Sequence, residues 1–457
     1  MNSKQISEYS GGSLGPETSE QQVRAVRQRA LLRQGGKCLL TFTLNIPESN
    51  KCSPLAKKGI EEGIREIEIA LDPRVILKQK RYETAAGYEA DLLLDMPASE
   101  VKRRMVCLED RHPIGDLFHL EVFENNGELC TRKKLGLPQR KRLPCSLPAS
   151  DCTGNHTYAS ETSRRETACL LAGYFQKKWA NQIAACATRA LLYEVGTTPK
   201  PGLVDRNNSG SHIDMDIFTF FDSSAALTPW FQAFAELGLQ WCDCPPHTVF
   251  LQARYIGERA ERAMFAATGG VNTHKGLIFS LGLLCTAAGM LCGRGGTRDS
   301  ETLTALCGQL AKGALDDFSE LPQKGGLSHG ERIYQTHRIT GARGEAAAAF
   351  PSVRHYGLPA LKKALRENFS INDAAVITLM TLIANVQDTN MIARSDIQTQ
   401  EQVQREIKAL LDTLDREHLN AQIARLDQAF IEKHLSPGGC ADLLTITLML
   451  HFWEECS

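Results

Sequence analysis

Hydrophobic residues follow different patterns in the two halves of this chain. Between residues 37 and about 156, short apolar runs alternate with polar turns, and these runs predict β-strands at Cys38–Ile46, Ile67–Leu71 and Phe118–Phe123. The segment Ala98–Cys107 has helical composition and lies between two of these runs. The first half is therefore predicted to be a small α/β or α+β domain.

Beyond residue 166, apolar residues recur at helical spacing almost throughout. The spacing i, i+3, i+4, i+7 and i+8 is met by Ile183, Cys186, Ala187, Ala190 and Leu191, and a similar spacing by Ile256, Ala260, Ala263 and Met264. The run Ala374–Val386 is apolar on all sides and follows Ser370 and Asp373, which resemble a helix cap. The second half is predicted to be a large all-α domain.

The polar stretch Thr157–Glu166 separates the two patterns and suits a linker or an exposed first turn of a helix. At roughly 150 residues per domain, 457 residues accommodate one large and one smaller unit. We predict a disordered N-terminus at residues 1–20, a first domain at residues 21–160 and an all-α domain at residues 161–457.

Charge and composition narrow the possible partners. Lys and Arg total 52 against 53 Asp and Glu, so the chain has no general field for nucleic acid or an anionic membrane, and we expect neither partner. The polar start Met1–Glu20 lacks the order of a secretory signal, which favours the cytoplasm. The apolar stretch Leu277–Cys292 is short for a membrane span and predicts a buried helix.

The fifteen cysteines are scattered and often lie within apolar runs, as expected of small core residues. Cys145, Cys152 and His156 supply three zinc ligands without a paired CxxC, which does not favour a zinc site.

Glycine and proline interrupt the helical pattern at five places that also collect charged side chains. The first, EVGTTPKPGLVDR at Glu194–Arg206, carries Lys200 and Asp205 on an extended loop and is soon followed by His212. Taken alone, this segment is more simply interpreted as a helix-terminating loop with solvated charges.

The second interruption, ATGGVNTHKG at Ala267–Gly276, precedes the buried helix. Glycines allow close backbone approach, and the positive helix end adds to Lys275 in attracting phosphate, although the glycine spacing is not that of a P-loop. His274 by itself suits a core histidine.

The third interruption, SHGERIYQTHRITGARGEA at Ser328–Ala346, gathers arginines with Glu331 and Glu345. Arg332 and Arg343 suit bidentate binding of a polyphosphate, and a salt-bridged surface turn is the equal alternative.

The last two interruptions are DTN at Asp388–Asn390 and SPGGCADLL at Ser436–Leu444, which opens the final helix. Asp388 and Asp442 are candidate Mg²⁺ ligands because hard cations prefer oxygen and bridge phosphates. Lone residues of this kind are more often helix caps. Five such corners among apolar helices predict one polar pocket.

In this order PKPGLVDR, GVNTHKG, TGARGEA, DTN and SPGG.ADLL resemble triphosphoribosyl-dephospho-CoA synthase, the CitG family, from about Arg165 to the C-terminus. The resemblance implies a helical enzyme that joins ATP to 3′-dephospho-CoA and releases adenine.

The resemblance also implies roles for individual residues. Substrate contacts are expected from Lys200, Asn272, His274, Lys275, Arg332, Arg343, Arg394, Gly438 and Gly439, and Mg²⁺ contacts from Asp388 and Asp442. Proton transfer is expected from Asp205, His212 or Glu345. Where the family has an arginine and glycines after DTN, this chain has Arg394, Ser395 and Asp396.

The first half resembles the citrate lyase phosphoribosyl-dephospho-CoA transferase, the CitX family, in HPIGDLFHLEVF, LGLPQRKRLPC, ASDC and His156. That family transfers the finished group to a serine of the acyl carrier (gamma) subunit of citrate lyase. The family's arginine and two alternate aspartates appear here as Asp116, His119 and Glu121, and one of its cysteines as Arg142. His119, Glu121 and Arg140 are the candidate site residues of this half.

Three hypotheses follow. The first is a bifunctional enzyme that makes the prosthetic group of citrate lyase and attaches it. The second leaves only the synthase active, with the first half a noncatalytic docking module for the carrier protein. The third is a helical nucleotide-binding protein without turnover.

Overall fold

The computed structural model describes residues 16–84, 86–140, 161–318, 329–413 and 416–455. The chain forms two compact units, residues 1–175 and 176–457. Most of the predicted disordered N-terminus, the cysteine and histidine group at residues 145–156 and Arg142 lie outside the described residues. Residues 16–20 of that predicted terminus belong to a helix.

The first unit is an antiparallel sheet with helices, and the fold is therefore α+β. The strands are β1 (Cys38–Leu44), β2 (Ile76–Thr84), β3 (Gly87–Leu94) and β4 (Phe118–Glu124), and the order across the sheet is β2-β3-β1-β4. The helices are α1 (Pro16–Leu32), α2 (Pro54–Ala70) and α3 (Ala98–Arg111). The fold class predicted from the sequence is confirmed.

The two faces of this sheet differ in polarity because side chains alternate along each strand. On one face Leu40 pairs with Leu92 and Val122, and Phe42 pairs with Ala90 and Leu120, all of them buried. Helices α2 and α3 pack on this face, and a Cβ at Gly63 of α2 would lie 2.2 Å from the Phe42 ring. The opposite face carries Thr41, Thr43 and charged residues.

One predicted strand is wrong. Ile67–Leu71 lies at the C-terminal end of α2, where Ile60, Ile64 and Ile67 follow helical spacing and are buried. Ile69 is 71% exposed, so the apparent strand alternation in this window reflects a helix that turns one side to solvent. Strands β2 and β3 were not predicted.

In its described residues the second unit consists of helices joined by loops, without strands. Its helices are α4 (Glu161–Gly196, which begins in the first unit), α5 (Ile217–Gln240), α6 (Pro246–Ala267), α7 (Lys275–Arg294), α8 (Ser300–Ala311), α9 (His329–His337), α10 (Gly341–Ala347), α11 (Leu358–Arg366), α12 (Ile371–Asn385), α13 (Thr389–Arg394), α14 (Ile397–Asp412), α15 (Leu419–Glu432) and α16 (Gly438–Glu455). A π-helical turn, Val353–Gly357, leads into α11.

Helix starts and core helices follow from local sequence. The Ser370 side chain accepts a hydrogen bond from the Asp373 N–H, as its position before the apolar run predicted. Helix α7 spans 20 residues and is long and apolar enough to cross a membrane, so the predicted length was too short. Its side chains from Leu277 to Cys292 are nearly all buried in the protein, which confirms the predicted core helix.

Candidate active sites

A buried ion pair lies where α4 ends and the proline-rich loop begins. Lys200 is 1% exposed, and its ammonium donates a hydrogen bond to the Glu194 carboxylate, which is also buried. Burial raises the pKa of Glu194, while the Lys200 charge lowers it. The ion pair of Lys200 with Glu194 ties the loop to the end of α4. Because Lys200 is buried, its positive charge acts from within the protein.

Asp205 organises the same loop. Its carboxylate accepts hydrogen bonds from the backbone N–H groups of Lys200 (3.0 Å), Asn207 (2.7 Å) and Asn208 (3.1 Å). Asp427 of α15 accepts from the Gly202 N–H and the Asn208 side chain, each at 2.8 Å. These contacts hold the loop against α15.

His274 lies buried at the start of α7. Its Nδ1 is 2.7 Å from the Ser223 hydroxyl, and its ring packs edge-on against Phe220 of α5. Burial, with a smaller effect of the Lys200 charge, lowers the pKa of His274 to about 3. The imidazole is therefore neutral at physiological pH, and its Nε2 is shielded without a hydrogen-bond partner among the described residues.

The neighbouring residues of this corner are exposed. The Lys275 ammonium is 3.1 Å from Glu261 of α6, and the Asn272 side chain accepts a hydrogen bond from the Lys275 N–H at 3.2 Å. Lys275 therefore lies at the surface of the helix start, already paired with one carboxylate.

Asp388 and Asp442 approach each other through the start of α16. Asp388 is buried and caps α13, accepting from the N–H groups of Asn390 (2.8 Å) and Met391 (3.1 Å), and it also accepts from Cys440 N–H (2.7 Å). A Cβ at Gly439 would lie 3.1 Å from the Asp388 carboxylate, and one at Gly438 2.7 Å from the Asn390 amide. Glycine at both positions therefore permits this close approach.

Asp442 lies within electrostatic range of the Glu194 and Asp388 carboxyl groups. Burial raises the pKa of Asp442 well above its ordinary value, and the nearby charges of Glu194 and Asp388 raise it further. A Cβ at Gly276, in the first turn of α7, would lie 3.2 Å from Asp442 Oδ2. The end of α4, the start of α7, Asp388 and the start of α16 therefore meet around Asp442.

The arginine-rich corner reaches the same region from the other side. The Glu345 carboxylate accepts from the hydroxyl and backbone N–H of Ser352, and its charge contributes to the raised pKa of the Cys440 thiol. A Cβ at Gly341 would lie 3.5 Å from the Thr389 side chain. Helices α9 and α10 therefore border the segment that carries Asp388.

The arginines of this corner face acidic residues or solvent. Arg343 Nη2 is 3.4 Å from Glu331 and 3.8 Å from Asp317, and the guanidinium lies 5.2 Å from the Phe318 ring. Its Nη1 is shielded without a hydrogen-bond acceptor among the described residues. Arg332 is exposed on α9.

His212 forms a second polar group beside the start of α16. Its Nε2 is 2.9 Å from the Ser436 hydroxyl, and its Nδ1 is 3.3 Å from Arg394 Nη2. Burial lowers the pKa of His212, and the Arg394 charge lowers it further. Arg394 is thus placed by its contacts with His212 and the Ser211 carbonyl (3.3 Å).

The corners predicted from the sequence therefore meet at the starts of α7, α13 and α16. Lys200, Asp205, His274 and Asp388 are buried and Asp442 is partly buried, while the side chains of Lys275, Arg332 and Arg343 lie toward the surface. The roles proposed for the individual residues stay predictions.

Sequence reasoning assigned no role to Glu194, Asp427, Ser223 or Ser436. Glu194 had a usable signal, because it is a charged residue at the end of a helix that is otherwise apolar on that side. Asp427 and Ser223 lie inside helices α15 and α5, outside the five interruptions, so only the fold brings them to the site.

In the first unit, His119 and Glu121 lie on the polar face of the sheet. His119 Nε2 is 3.6 Å from Glu121 Oε1, and Glu121 Oε2 is 3.9 Å from Arg24 of α1. Arg140 donates to the carbonyl oxygens of Gly115, Asp116 and Phe118. The Arg140 guanidinium therefore holds in place the turn at Gly115 and Asp116 that leads into β4.

Two family models match this chain. The model of CitG, ATP:dephospho-CoA triphosphoribosyl transferase, matches residues 180–457, and that of CitX, apo-citrate lyase phosphoribosyl-dephospho-CoA transferase, matches residues 19–172.

Curated relatives cover either the second half or nearly the whole chain. A probable 2-(5''-triphosphoribosyl)-3'-dephosphocoenzyme-A synthase of Pectobacterium carotovorum is 44% identical over 269 residues, 58% of this chain and 86% of the relative. Protein CitXG of Haemophilus influenzae is 31% identical over 437 residues, 93% of both chains. Protein CitXG of Leuconostoc mesenteroides is 32% identical over 432 residues, 90% of this chain and 91% of the relative.

Proposed function

We infer the function from family membership: the chain belongs to the CitG family of ATP:dephospho-CoA triphosphoribosyl transferases and carries a CitX domain before it, as the CitXG proteins do. It is a transferase that makes 2′-(5″-triphosphoribosyl)-3′-dephospho-CoA from ATP and 3′-dephospho-CoA, with release of adenine. Its first half serves the transfer of this group to citrate lyase.

The observation that carries the synthase mechanism is that Glu194, Asp388 and Asp442 lie close enough for their charges to interact, with the start of α7 against Asp442. In the reaction the 2′-hydroxyl of dephospho-CoA bonds to C1 of the ATP ribose, and the bond from that carbon to adenine breaks. The carbon becomes electron-poor, as in glycoside transfer. Carboxylates fixed at one point stabilise such developing positive charge, which supports placing the ribose near Asp442.

We propose His212 as the group that takes the proton of the hydroxyl. Among the three residues suggested for proton transfer, Asp205 and Glu345 accept backbone N–H groups. The ring nitrogens of His212 instead contact the side chains of Ser436 and Arg394, which can turn away when substrate binds. His212 is kept neutral by burial and by Arg394, and a neutral imidazole accepts a proton.

We also propose that Asp442 is the principal Mg²⁺ ligand of this site. Asp442 lies near the carboxyl groups of Glu194 and Asp388, and carboxylate oxygens are the ligands that Mg²⁺ prefers. The Asp388 oxygens already accept three N–H groups, so Asp388 supports the site mainly through its charge. Bound Mg²⁺ would supply positive charge to the triphosphate.

The finer identity of the partners is a proposal as well. We propose the gamma subunit of citrate lyase as the acyl carrier and the cytoplasm as the location, because ATP and dephospho-CoA are available there. The CitX match supports the first, and the burial of α7 within the protein supports the second.

A coupled assay tests these proposals. Purified protein with ATP, dephospho-CoA and Mg²⁺ should release adenine, and added apo-gamma subunit should gain the mass of the phosphoribosyl-dephospho-CoA group. Adenine release without a mass gain would identify the first half as a docking module. No adenine release would contradict the synthase assignment, and unchanged release in excess EDTA would contradict the Mg²⁺ proposal.

A further inference from the structure

Helix α1 lies on the polar face of the sheet in the first unit. Its Leu31 packs with Leu39 and Leu93 at one end of that face. Arg24, Arg27 and Gln28 precede Leu31 by seven, four and three residues, so they lie on the same side of the helix. The apolar contact therefore directs three polar side chains onto the middle of the sheet.

The strands beneath α1 present an array of chemically reactive groups. Register places Thr41 between Asp91 and Glu121, and Thr43 between Glu89 and His119. The outer strand β2 adds Lys80 opposite Asp91 and Tyr82 opposite Glu89. Directly opposed residues point to the same side of a sheet, so these groups share one face.

Arg27 fixes α1 to this face. Its guanidinium donates to Glu89 and, at 3.0 Å, to Asp91, and it stacks 3.6 Å from the centre of the Tyr82 ring. The Gln28 amide donates to the Thr41 hydroxyl at 3.2 Å. Arg27 is therefore a positioning residue whose hydrogen bonds are used within the protein.

Arg24 is placed differently. Its Nε and Nη2 are shielded from solvent, yet no described residue offers either atom a hydrogen-bond acceptor. The nearest carboxylate oxygens, of Glu89 and Glu121, are each 3.9 Å away, beyond hydrogen-bonding distance. Shielded donors without an acceptor are costly, and a planar guanidinium is suited to bidentate binding of a phosphate.

We propose that this polar face under α1 is the site of the transferase half, and that Arg24 binds the pyrophosphate that leaves. The inference rests on the proposed carrier-modifying activity. In the reaction the serine oxygen of the carrier bonds to the α-phosphorus of the triphosphoribosyl group, and the bond from that phosphorus to the bridging oxygen breaks. Pyrophosphate leaves with the electron pair, and the serine proton passes to a base.

His119 and Glu121 occupy the strand positions where the related family has aspartates. A transferase site on the sheet face under α1 gives both residues a place in that site. Both lie on the face that Arg24 overhangs, with His119 3.6 Å from Glu121. Lys80, exposed on the same face, adds a second cation for the phosphates. His119 is the candidate base because it is the histidine on this face among the described strand residues, and an imidazole can accept a proton.

The test uses the full chain with preformed triphosphoribosyl-dephospho-CoA and apo-carrier. Arg24→Gln should lower the rate of carrier mass gain by at least about 100-fold, as loss of one charge-stabilising donor does elsewhere. Arg24→Lys should restore part of that rate. Adenine release by the second unit should stay at the wild-type rate, and Arg29→Gln, an exposed position of the same helix, serves as the matched control.

Inhibition by pyrophosphate separates a binding role from a structural one. In the residual reaction of Arg24→Gln, the pyrophosphate concentration that halves the rate should rise at least about tenfold, since the variant lacks one charge-assisted contact. A wild-type rate in Arg24→Gln, or a lower rate with unchanged pyrophosphate inhibition, would overturn the proposal. Failure of the wild-type chain to modify the carrier would instead refute the proposed function itself.

Discussion

His274 shows how burial alone can determine the chemical state of a side chain. The His274 ring lies between α5 and α7. Burial there lowers its pKa from an ordinary value of 6.5 to about 3. It therefore acts as a neutral hydrogen-bonding group at the start of α7. The sequence allowed two interpretations of His274, a core histidine and a substrate contact. The burial of the His274 side chain supports the first interpretation, and the second stays a prediction.

The lowered pKa of His274 predicts a loss of stability in acid. The unfolded chain takes up a proton near pH 6.5 and the folded chain only near pH 3, so this contribution is complete above pH 6.5 and is lost as the pH falls. The slope should reach about 1.4 kcal/mol per pH unit. His274→Gln should flatten the dependence, measured by urea unfolding at pH 7 and pH 5.

The buried carboxyl groups of Glu194, Asp388 and Asp442 have raised pKa values, so their contribution to the free energy of unfolding grows as the pH falls. Both the wild type and His274→Gln keep these groups, so the difference between the two proteins reports His274 alone. An identical pH dependence of the unfolding free energy in wild type and His274→Gln would contradict the assignment.

Arg394 and His212 give a second prediction at this scale. If His212 accepts the substrate proton, adenine release requires neutral His212 and falls as the pH drops through its pKa. Arg394 lowers that pKa, so Arg394→Gln should move the acidic limb of the kcat profile to higher pH. An unmoved limb would exclude His212 as the titrating base.

At the scale of elements, the sequence predicted the helices well because their apolar residues keep helical spacing over many turns. It failed at Ile67–Leu71, where a five-residue window was too short to distinguish the end of α2 from a strand. It also missed β2, whose polar residues give little hydrophobic pattern. Asp388 caps the short helix α13, the common role of a lone carboxylate that the sequence left open beside Mg²⁺ binding, but α13 itself was not predicted.

The first turn of α7 provides a test of how two elements meet. A Cβ added at Gly276 would lie 3.2 Å from Asp442 Oδ2, and alanine otherwise favours a helix. Gly276→Ala should therefore keep or slightly raise the free energy of unfolding while lowering kcat/KM for adenine release about tenfold, because the Asp442 carboxylate must move.

Gly330→Ala in α9 is the matched control, since its Cβ would meet no heavy atom of the described residues within 4 Å. Equal activity of the two variants would show that contact between α7 and Asp442 has no part in the reaction.

At the scale of the whole molecule, the chain combines two folds whose sites are built differently. The helical unit assembles its polar residues from corners that are distant in sequence, which the sequence predicted through its interruptions. The first unit displays its polar residues on one sheet face, and α1 completes that face with Arg24 and Arg27. Nothing in the pattern of α1 indicated this role, because its register against the sheet depends on the packing of Leu31.

The central claim for the helical unit is that ATP and dephospho-CoA react next to the carboxyl groups of Glu194, Asp388 and Asp442. Asp442→Asn tests this claim most directly. The change keeps the shape of the side chain and removes repulsion from Glu194 and Asp388, so the unfolding midpoint should stay the same or rise. Adenine release should fall at least about 100-fold, while Asp412→Asn, at an exposed position of α14, should leave it unchanged. Wild-type adenine release by Asp442→Asn would contradict the account.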